Sequence, residues 1–313
     1  MKRRCAKAII LAVIDCLLIP GTTFGADVSV DDRPFEEIEQ DDGISFIEKT
    51  YRRTSTKGYV STFSLAWVTL DPEVYDIRFY HASEGFSLAR LERHLGSEKS
   101  DRYTNGDYVI ISGGFLSQYN PVRSAGYVKL DGKTVNEPVN AVEDSVLSGV
   151  ACVSGKIVKG SSKNERRLLP YLPDFSFAPP PEEFEAKYSR FESCLQSGPY
   201  FFRSGKKVSY PPASKRQPGF SRVWRGQSER ALIAKTSEGK VILSISSQGG
   251  ATIDQLASMF REEKGISSVQ HALNLQGGDS RGLIVSNKGG VVRLGNTKAL
   301  QATAIVARRL SGN

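Results

Sequence analysis

Short segments in which apolar and polar residues alternate recur along this 313-residue chain, from its first third to its C-terminal end. The clearest lie at residues 59–65, 75–80, 241–246 and 302–306. A further strand pattern at residues 127–130 leads into Asp131-Gly132, which predicts a hairpin turn. Alternation with a period of two is typical of β-strands that bury one face. A chain built from many such segments must assemble them into sheets, because a strand leaves its backbone groups and its apolar face without partners.

Helical spacing is confined to a few stretches. Residues 87–96 place Leu88, Leu91 and Leu95 on one face, and residues 182–192 form a second candidate helix. Thr252 is followed by Gln255 three positions later, which predicts a capping box at the start of a third helix. We therefore predict an α/β protein of the α+β kind, with a mixed, largely antiparallel β-sheet core flanked by a few helices.

The N-terminal 26 residues have the pattern of a secretory signal peptide. Four basic residues precede an apolar run at residues 8–20, and small residues follow up to Gly25. The run is too short to span a bilayer, which needs about 20 apolar residues, and Asp15 interrupts it. The alternative is a buried N-terminal helix. We predict export to the periplasm or the extracellular space, with no stable membrane anchor after cleavage.

The net charge favours an anionic partner. Removing residues 1–26 takes away four basic residues and one acidic residue, so the charge falls from +8 to +5. This mildly basic balance predicts a phosphorylated or anionic glycan as partner, and the alternative is an ordinary solvated basic surface. No nucleic-acid motif accompanies the charge, so no nucleic-acid partner is predicted.

Two of the four cysteines, Cys152 and Cys194, lie outside the signal segment. In an oxidising compartment they can pair, and two free buried thiols are the alternative. The sequence leaves that choice open. No metal site is predicted, because the chain has no C-x-x-C motif and only three widely spaced histidines. The sequence does not show whether a cofactor is required.

The domain organisation follows from composition. Residues 27–43 are rich in Asp and Glu and are predicted to form a mobile acidic leader. Residues 44–313 form the folded domain. Within it, residues 160–181 and 205–219 are interrupted by prolines and are predicted to be exposed loops, the first of them a candidate lid.

Two predicted strands end in paired glycines, which makes their ends the candidate site. Gly113 and Gly114 follow Ser112, and Gly277 and Gly278 follow Gln276. Glycine permits a sharp turn and a close approach of ligand to backbone amides. If the two strand ends meet, these loops form the floor of a polar pocket.

Three further features near these loops are candidates for a functional role. His271 lies on the strand before Gly277, where a histidine is more often part of a core than a catalyst. Arg222 offers a planar group suited to phosphate, and the alternative is a surface charge. Gly278, Ser280 and Gly282 match the G-x-S-x-G elbow of serine hydrolases. That elbow requires an acid and a histidine later in the chain, and neither Asp, Glu nor His follows Ser280, so a serine esterase is disfavoured.

The order of these motifs resembles the phosphodiester glycosidase family. The motifs are Gly113-Gly114-Phe115, Asp131-Gly132-Lys133, Gln196-Ser197-Gly198-Pro199, Gly205-Lys206, Ser221-Arg222, the Thr252 helix, and the run Ala-Leu-Asn-Leu-Gln-Gly-Gly-Asp-Ser at residues 272–280. The resemblance extends from about Tyr59 to Val306. It implies an α/β domain with mixed strands that hydrolyses a sugar-1-phosphodiester in an exported or lumenal setting.

The resemblance also implies roles for residues. Arginine neutralises the phosphate leaving group and backbone amides of the glycine loops hold its oxygens. By position, Arg222 is the phosphate candidate. The residues implied to contact substrate are Ser112, Gly113, Gly114, Gln196, Gly198, His271, Gln276, Gly277, Gly278 and Ser280.

Three departures from the family pattern separate two functional hypotheses. The family usually has asparagine at the position of Ser112, aspartate at that of Gln276 and glycine at that of Asp279. Glutamine cannot act as an acid, base or nucleophile, so Asp279 becomes the catalytic carboxylate candidate, alongside Arg222 and Ser280. The first hypothesis is a hydrolase of an N-acetylglucosamine-1-phosphodiester-like linkage in an envelope or extracellular glycan. The alternative is an inactive glycan-binding or polysaccharide-assembly protein on the same fold.

Overall fold

The computed structural model describes residues 27–30, 37–41, 43–54, 60–119, 122–139, 146–159, 166–209, 220–247, 249–262 and 268–312. The predicted signal peptide lies outside the described residues. None of the helices in these ranges is long and apolar enough to cross a membrane.

Strands make up most of the fold. The first half of the chain contains β1 (Asp27–Val30), β2 (Glu37–Asp41), β3 (Ile44–Thr54), β4 (Val60–Leu70), β5 (Tyr75–Phe86), β6 (Tyr103–Ser112), β7 (Leu116–Tyr119), β8 (Val122–Ser124), β9 (Val128–Leu130), β10 (Lys133–Asn136) and β11 (Gly149–Lys159). The second half contains β12 (Arg166–Phe177), β13 (Ser193–Ser197), β14 (Tyr200–Arg203), β15 (Lys206–Lys207), β16 (Arg230–Thr236), β17 (Val241–Ser247), β18 (Val269–Gly277), β19 (Gly282–Asn287), β20 (Gly290–Gly295) and β21 (Gln301–Leu310). The α-helices are α1 (Leu88–Ser97), α2 (Phe184–Tyr188), α3 (Phe220–Arg225) and α4 (Ile253–Glu262).

Three larger sheets and a small hairpin hold these strands. A nine-stranded sheet has the order β1-β3-β4-β17-β16-β18-β14-β15, with β2 also paired to β3. A second sheet has the order β10-β9-β13-β11-β12, a third has the order β20-β19-β6-β21-β5, and β7 pairs with β8. The strand pairings among the described residues are antiparallel, which confirms the predicted α+β class with a largely antiparallel core.

Alternation along the strands divides the nine-stranded sheet into two apolar faces. On β4, Ala66, Val68 and Leu70 join the central core, to which all three larger sheets contribute. Leu65 and Trp67 point to the other face, where α4 packs. Because successive side chains on a strand alternate in direction, a single strand serves both clusters.

Local signals predicted several elements correctly. The capping box of α4 is formed, since the Thr252 N–H donates to Gln255 Oε1 at 2.9 Å and the Gln255 N–H donates to Thr252 Oγ1 at 3.1 Å. The β9–β10 hairpin turns through Asp131 and Gly132, with φ of 48° and 78°. Both values lie in the left-handed region that an Asp-Gly pair tolerates.

Three segments differ from the sequence prediction. The loop predicted at residues 205–219 contains the short strand β15, and its residues 210–219 lie outside the described residues. The acidic leader contains β1 and β2, both paired with β3, because ladder hydrogen bonds come from the backbone and not from the charged side chains. The stretch predicted as a proline-broken loop contains β12, which extends the second sheet as its edge strand. An edge strand tolerates proline, because one side of it needs no N–H donor.

Cys152 and Cys194 form a disulfide. They lie directly opposite each other on β11 and β13, with Cα atoms 4.0 Å apart, and both are buried. Of the two alternatives that the sequence left open, the structure therefore has the paired cysteines.

Candidate functional site

The two glycine loops meet, although their strands belong to different sheets. The Gln276 N–H at the end of β18 donates to the Gly113 carbonyl oxygen at 2.8 Å. The Gly113 N–H in turn donates to the Thr303 carbonyl oxygen on β21 at 3.0 Å. These bonds join the end of the nine-stranded sheet to the third sheet, and they bring the predicted pocket floor together at that junction. We call it the glycine junction, comprising residues 112–114 and 276–280.

Close packing explains why two of these residues are glycine. A Cβ on Gly113 would lie 2.7 Å from the Thr303 carbonyl carbon, and a Cβ on Gly277 would lie 2.7 Å from the Glu229 carbonyl oxygen. Gly278 differs, because its φ of +64° favours glycine while no atom of the described residues lies within 4 Å of its Cβ position. Gly278 therefore borders open space, where a ligand can approach the backbone.

The backbone amides of the junction are already engaged. The Gly114 N–H donates to Thr303 Oγ1 at 2.8 Å, and the Gly278 N–H donates to the Glu229 carbonyl oxygen at 2.8 Å. The family resemblance implies that amides of the glycine loops hold phosphate oxygens. In this conformation the Gly113, Gly114 and Gly278 amides each donate to a protein acceptor instead.

Ser112 is used to hold the turn that follows β18. Its buried hydroxyl donates to the Ser280 carbonyl oxygen at 3.1 Å and accepts from the Gly282 N–H at 2.8 Å. Gln301 Nε2 on β21 donates to the same Ser280 oxygen at 2.5 Å. The Ser112 hydroxyl is therefore committed to the fold of the junction.

An ion pair between a buried arginine and a partly buried glutamate also stabilises this turn. The Arg281 guanidinium pairs with Glu229 and donates through Nη1 to the Gly278 carbonyl oxygen at 3.0 Å. It also donates through Nε to the Ser246 carbonyl oxygen at 3.0 Å. Burial lowers the pKa of Arg281, and the neighbouring Glu229 carboxylate opposes that shift. The pair holds Gly278 from one side while Ser112 holds Ser280 from the other.

Arg230 connects the junction to α3. It lies opposite Gly277 in the β16–β18 ladder and is 2% exposed. Its guanidinium donates to the carbonyl oxygens of Val223 and Gly226, at 2.5 and 2.9 Å, at the end of α3. Burial lowers its pKa to about 10, so it stays charged at neutral pH. The predicted phosphate ligand Arg222 lies on α3, although its side chain is outside the description.

Four buried side-chain oxygens, on segments that lead to the junction or contact it, have no hydrogen-bond partner among the described residues. They are Ser197 Oγ, Asn274 Oδ1, Gln276 Oε1 and Gln301 Oε1. Asn274 and Gln276 lie two residues apart on β18. Gln301 and Ser112 both donate a hydrogen bond to the Ser280 carbonyl oxygen. Asn274 Nδ2 also donates to the Gly198 carbonyl oxygen at 2.8 Å, which places Ser197 beside this group.

The unpartnered oxygens indicate what the site lacks. A buried acceptor without a donor costs about 1–3 kcal/mol, and native folds retain few of them. Such an oxygen needs a hydrogen-bond donor, which an ordered water or a ligand can supply. A bulge lies in the same segment, since β18 carries one extra residue against β16 between Asn274 and Gly277. Bulges often occur beside functional sites, because they redirect side chains.

A model of the phosphodiester glycosidase family matches residues 105–309, which include both halves of the glycine junction. The chain belongs to this family. No match was found among curated protein sequences.

Two solved structures show the same fold. A crystal structure of a hypothetical protein from Synechocystis is 16% identical, with a TM-score of 0.57 over 91% of this chain and 68% of that chain. The catalytic domain of zebrafish N-acetylglucosamine-1-phosphodiester alpha-N-acetylglucosaminidase, auto-inhibited by its pro-peptide, is 14% identical, with a TM-score of 0.56 over 91% and 87%. At these identities the likeness concerns the fold alone.

In this phosphodiester glycosidase chain, Asp279 and Ser280 lie in a 3-10 turn directly after Gly278. Asp279 is exposed, and its carboxylate forms no ion pair or hydrogen bond with the described residues. The negative charge of Asp279 acts to raise the pKa of Arg281, against the larger lowering by burial. After Ser280 the chain enters β19 and not a helix, so the strand–turn–helix context of a serine-hydrolase elbow is absent from this segment.

His271 lies away from the open side of Gly278. His271 bonds the Tyr200 hydroxyl through Nδ1 and stacks on Phe175, with ring centroids 5.9 Å apart. It precedes Gln276 by five residues, about 17 Å along a strand. Burial lowers the pKa of His271, which favours the neutral ring at neutral pH.

Gln196 acts as a clamp between loops. Its amide accepts from the Tyr127 and Val139 N–H groups at 2.9 and 3.1 Å, and donates to the Val139 and Leu147 carbonyl oxygens at 2.9 and 3.1 Å. Gly198, two residues later, has a φ of +148° and precedes a cis bond to Pro199. Both residues shape the loop that carries Ser197.

Sequence reasoning missed several residues of the junction. Gln301 and Thr303 lie on β21 and reach the site only because β21 pairs with β6, which no local pattern shows. Arg281 was visible only as the variable position of the G-x-S-x-G match. Within the described ranges, no group of three or more His, Cys, Asp or Glu side chains is placed to hold a metal ion.

Proposed function

We propose that this protein is an exported hydrolase that cleaves a sugar-1-phosphodiester of the N-acetylglucosamine type in an envelope or extracellular glycan. Membership of the phosphodiester glycosidase family supports the reaction class. The observation that carries the proposal is the glycine junction, where the two glycine loops meet and no atom of the described residues lies within 4 Å of the Gly278 Cβ position. A sugar offers several hydroxyl donors on one rigid ring, which suits the acceptor oxygen of Gln276, two residues before Gly278 and unpaired among the described residues.

The reaction breaks the bond between the anomeric carbon and the phosphate oxygen. A water oxygen attacks the anomeric carbon, the phosphate monoester leaves with the bonding electron pair, and a carboxylate receives the water proton. Asp279 is the carboxylate at the open side of the turn that this proposal assigns to that step. Arg222 is assigned to the phosphate, because a guanidinium fork matches its oxygens.

The buried oxygens orient the sugar. Gln276 and Asn274 carry carboxamide oxygens, which accept hydrogen bonds from hydroxyls or from the N–H of an acetamido group. Arg281, Glu229 and Ser112 do not touch the sugar in this scheme. They keep the turn rigid, so that Gly278 and Asp279 hold one position during the reaction.

The test is hydrolysis of an N-acetylglucosamine-1-phosphodiester by the purified chain without residues 1–26. We expect turnover by the native protein and at least a tenfold loss in kcat/KM for both Asp279→Asn and Arg222→Ala. The control is Asp101→Asn, an exposed aspartate in the turn before β6, which should retain full activity. Unchanged activity in both site variants would remove the residue assignment.

A second function is favoured by the chemistry of Gln276. The buried end of β18 carries an amide where the family usually has an aspartate, so the same site can hold a glycan without turning it over. Saturable glycan binding by the native protein, with hydrolysis only in Gln276→Asp, would establish this binding function in place of the hydrolase.

The proposed location is outside the cytoplasm, with residues 1–26 as a cleaved signal and residues 44–313 as one domain. The Cys152–Cys194 disulfide supports this location, because such bonds persist in oxidising compartments. Fractionation of expressing cells with N-terminal sequencing tests it. A mature N-terminus near residue 26 in the exported fraction is expected, and an intact Met1 in the cytoplasm would contradict it.

A further inference from the structure

A second concave site lies on the third sheet, beside the glycine junction but separate from it. Residues 80–86 of β5 form one wall, and α1 forms the other with Arg90, Leu91 and His94. Val135 of β10 borders the opening. The volume of this cleft is about 500 Å³, which falls within the range of small-molecule binding sites.

A large bulge creates the β5 wall. Phe86 pairs with Gln301 and His81 pairs with Thr303, so residues 82–85 of β5 face the single residue Ala302. The extra residues leave the ladder and contribute to the cleft lining, as bulges do when they redirect side chains at functional sites. Gly85 makes this possible with a φ of +75°, and a Cβ there would lie 2.7 Å from the Val122 side chain.

The cleft contains charged groups that the fold leaves unused. Arg90 and Glu84 line it, both residues are exposed, and neither side chain has an ion-pair partner in the described part of the chain. His81 is half-buried, and burial lowers its pKa, so its ring is neutral at pH 7 and offers one donor and one acceptor. These three groups supply donors and acceptors in one small volume.

An aromatic surface lies beside those polar groups. The Tyr80 side chain is 36% exposed, and its ring stands edge-on to Phe86, with centroids 4.9 Å apart and an interplanar angle of 87°. Val135, across the opening, is 44% exposed. The edge contact with Phe86 supports the Tyr80 ring in its position, which leaves an apolar surface facing the cleft.

We propose that this cleft binds a sugar unit of a carbohydrate chain, as a subsite distinct from the glycine junction. A pyranose has an apolar face that suits the Tyr80 ring and a rim of hydroxyls that suits a carboxylate and a guanidinium together. A charged pair of opposite sign favours a neutral sugar over an anion, because Glu84 repels what Arg90 attracts.

The position of the cleft connects it to the proposed hydrolase. Phe86 pairs directly with Gln301, whose amide holds Ser280 in the glycine junction. In this scheme one polymeric glycan occupies both sites, and the cleft binds a sugar unit remote from the cleaved linkage. This connection rests on the proposed function, whereas sugar binding in the cleft does not.

The test uses the exported chain on an array of defined neutral and anionic oligosaccharides, followed by calorimetric titration of the strongest neutral binder. We expect saturable binding, with the Kd raised at least tenfold by Tyr80→Ala and at least fivefold by Glu84→Gln or Arg90→Ala. Arg93→Ala is the matched control, since Arg93 is an exposed arginine of α1 outside the cleft. Its Kd should match that of the native protein.

Thermal unfolding of each variant shows that a loss of binding is not a loss of fold. Absence of binding to every oligosaccharide, or a Kd unchanged by all three cleft variants, would overturn the proposal. Hydrolysis is assayed in parallel on the N-acetylglucosamine-1-phosphodiester. Binding that depends on the cleft without any hydrolysis would remove the proposed function and leave this inference standing.

Discussion

Among single residues, Gln196 and Gln276 show that the same buried side-chain type can have two different roles. Both are buried, at 0% and 4% exposure. The Gln196 amide is saturated by four hydrogen bonds to loop backbone, whereas Gln276 Oε1 has no partner among the described residues. The first glutamine stabilises the fold, and the second holds an unsatisfied acceptor at the glycine junction.

The same substitution at both positions should separate stability from function. Gln196→Met leaves four backbone groups unpaired, and we expect it to lower the free energy of unfolding by about 3 kcal/mol or more. Gln276→Met removes an oxygen that has no partner, so the change should stay within about 1 kcal/mol while glycan turnover falls at least tenfold. Urea unfolding and the phosphodiester assay measure the two effects. A larger stability loss at Gln276 than at Gln196 would contradict this assignment.

Residue identity alone did not separate structural from functional side chains. Ser112 and His271 were candidates for substrate contact because of their position next to the glycine runs. The structure places the Ser112 hydroxyl on backbone atoms of the following turn, and it stacks His271 on Phe175 in the central core. Which partner a polar side chain meets depends on segments distant in sequence, so no local pattern could distinguish these roles.

At the scale of elements, the glycine runs at the ends of β6 and β18 have two different physical reasons. Gly113 is needed for space, because β21 lies against it, whereas Gly278 is needed for its left-handed backbone conformation and borders open space. Both roles were covered by one sequence signal, a pair of glycines after an apolar run.

Alanine at these two positions should therefore have unequal effects. Gly113→Ala forces the backbone of β21 to shift, and we expect a loss of about 3 kcal/mol in the free energy of unfolding. Gly278→Ala introduces only the left-handed conformation of a non-glycine residue, about 1–2 kcal/mol. Guanidinium unfolding of both variants measures the difference. Equal losses would show that crowding at Gly113 is relieved without cost.

Elements whose hydrogen-bond partners lie close in sequence were predicted correctly. Strands whose partners lie far away in sequence were not. The α4 capping box and the Asp131-Gly132 turn lie within a few residues, so the sequence contains all their partners. β12 forms although its proline-rich composition predicted a loop, and β1 and β2 form although the acidic composition predicted a mobile leader. In each case the neighbouring strand supplies the backbone hydrogen bonds, and the composition of a segment does not show which strand it will pair with.

At the scale of the whole molecule, the Cys152–Cys194 disulfide ties β11 to β13 within the second sheet. The two cysteines are 42 residues apart in sequence and are buried with the aromatic side chains of α2. Closing a loop of this length restricts the unfolded chain more than the folded one.

Removing the disulfide should lower the free energy of unfolding by about 4 kcal/mol on the chain-entropy account. We expect this for Cys152→Ala with Cys194→Ala, measured by denaturant unfolding against the oxidised native protein. The native protein with a reducing agent serves as the matched comparison and should lose a similar amount. A loss below about 1 kcal/mol in both would mean that the crosslink contributes little to stability.

The amino-acid sequence by itself determined the strand-rich class, the helix caps, the tight turns and the family resemblance, because these depend on the order of neighbouring residues. Tertiary structure decided the glycine junction, the engaged amides of Gly113, Gly114 and Gly278, and the cleft made by the β5 bulge. Each of these joins strands from different parts of the chain. Hydrogen bonding and packing between distant segments select them, and that selection is made only when the sheets assemble.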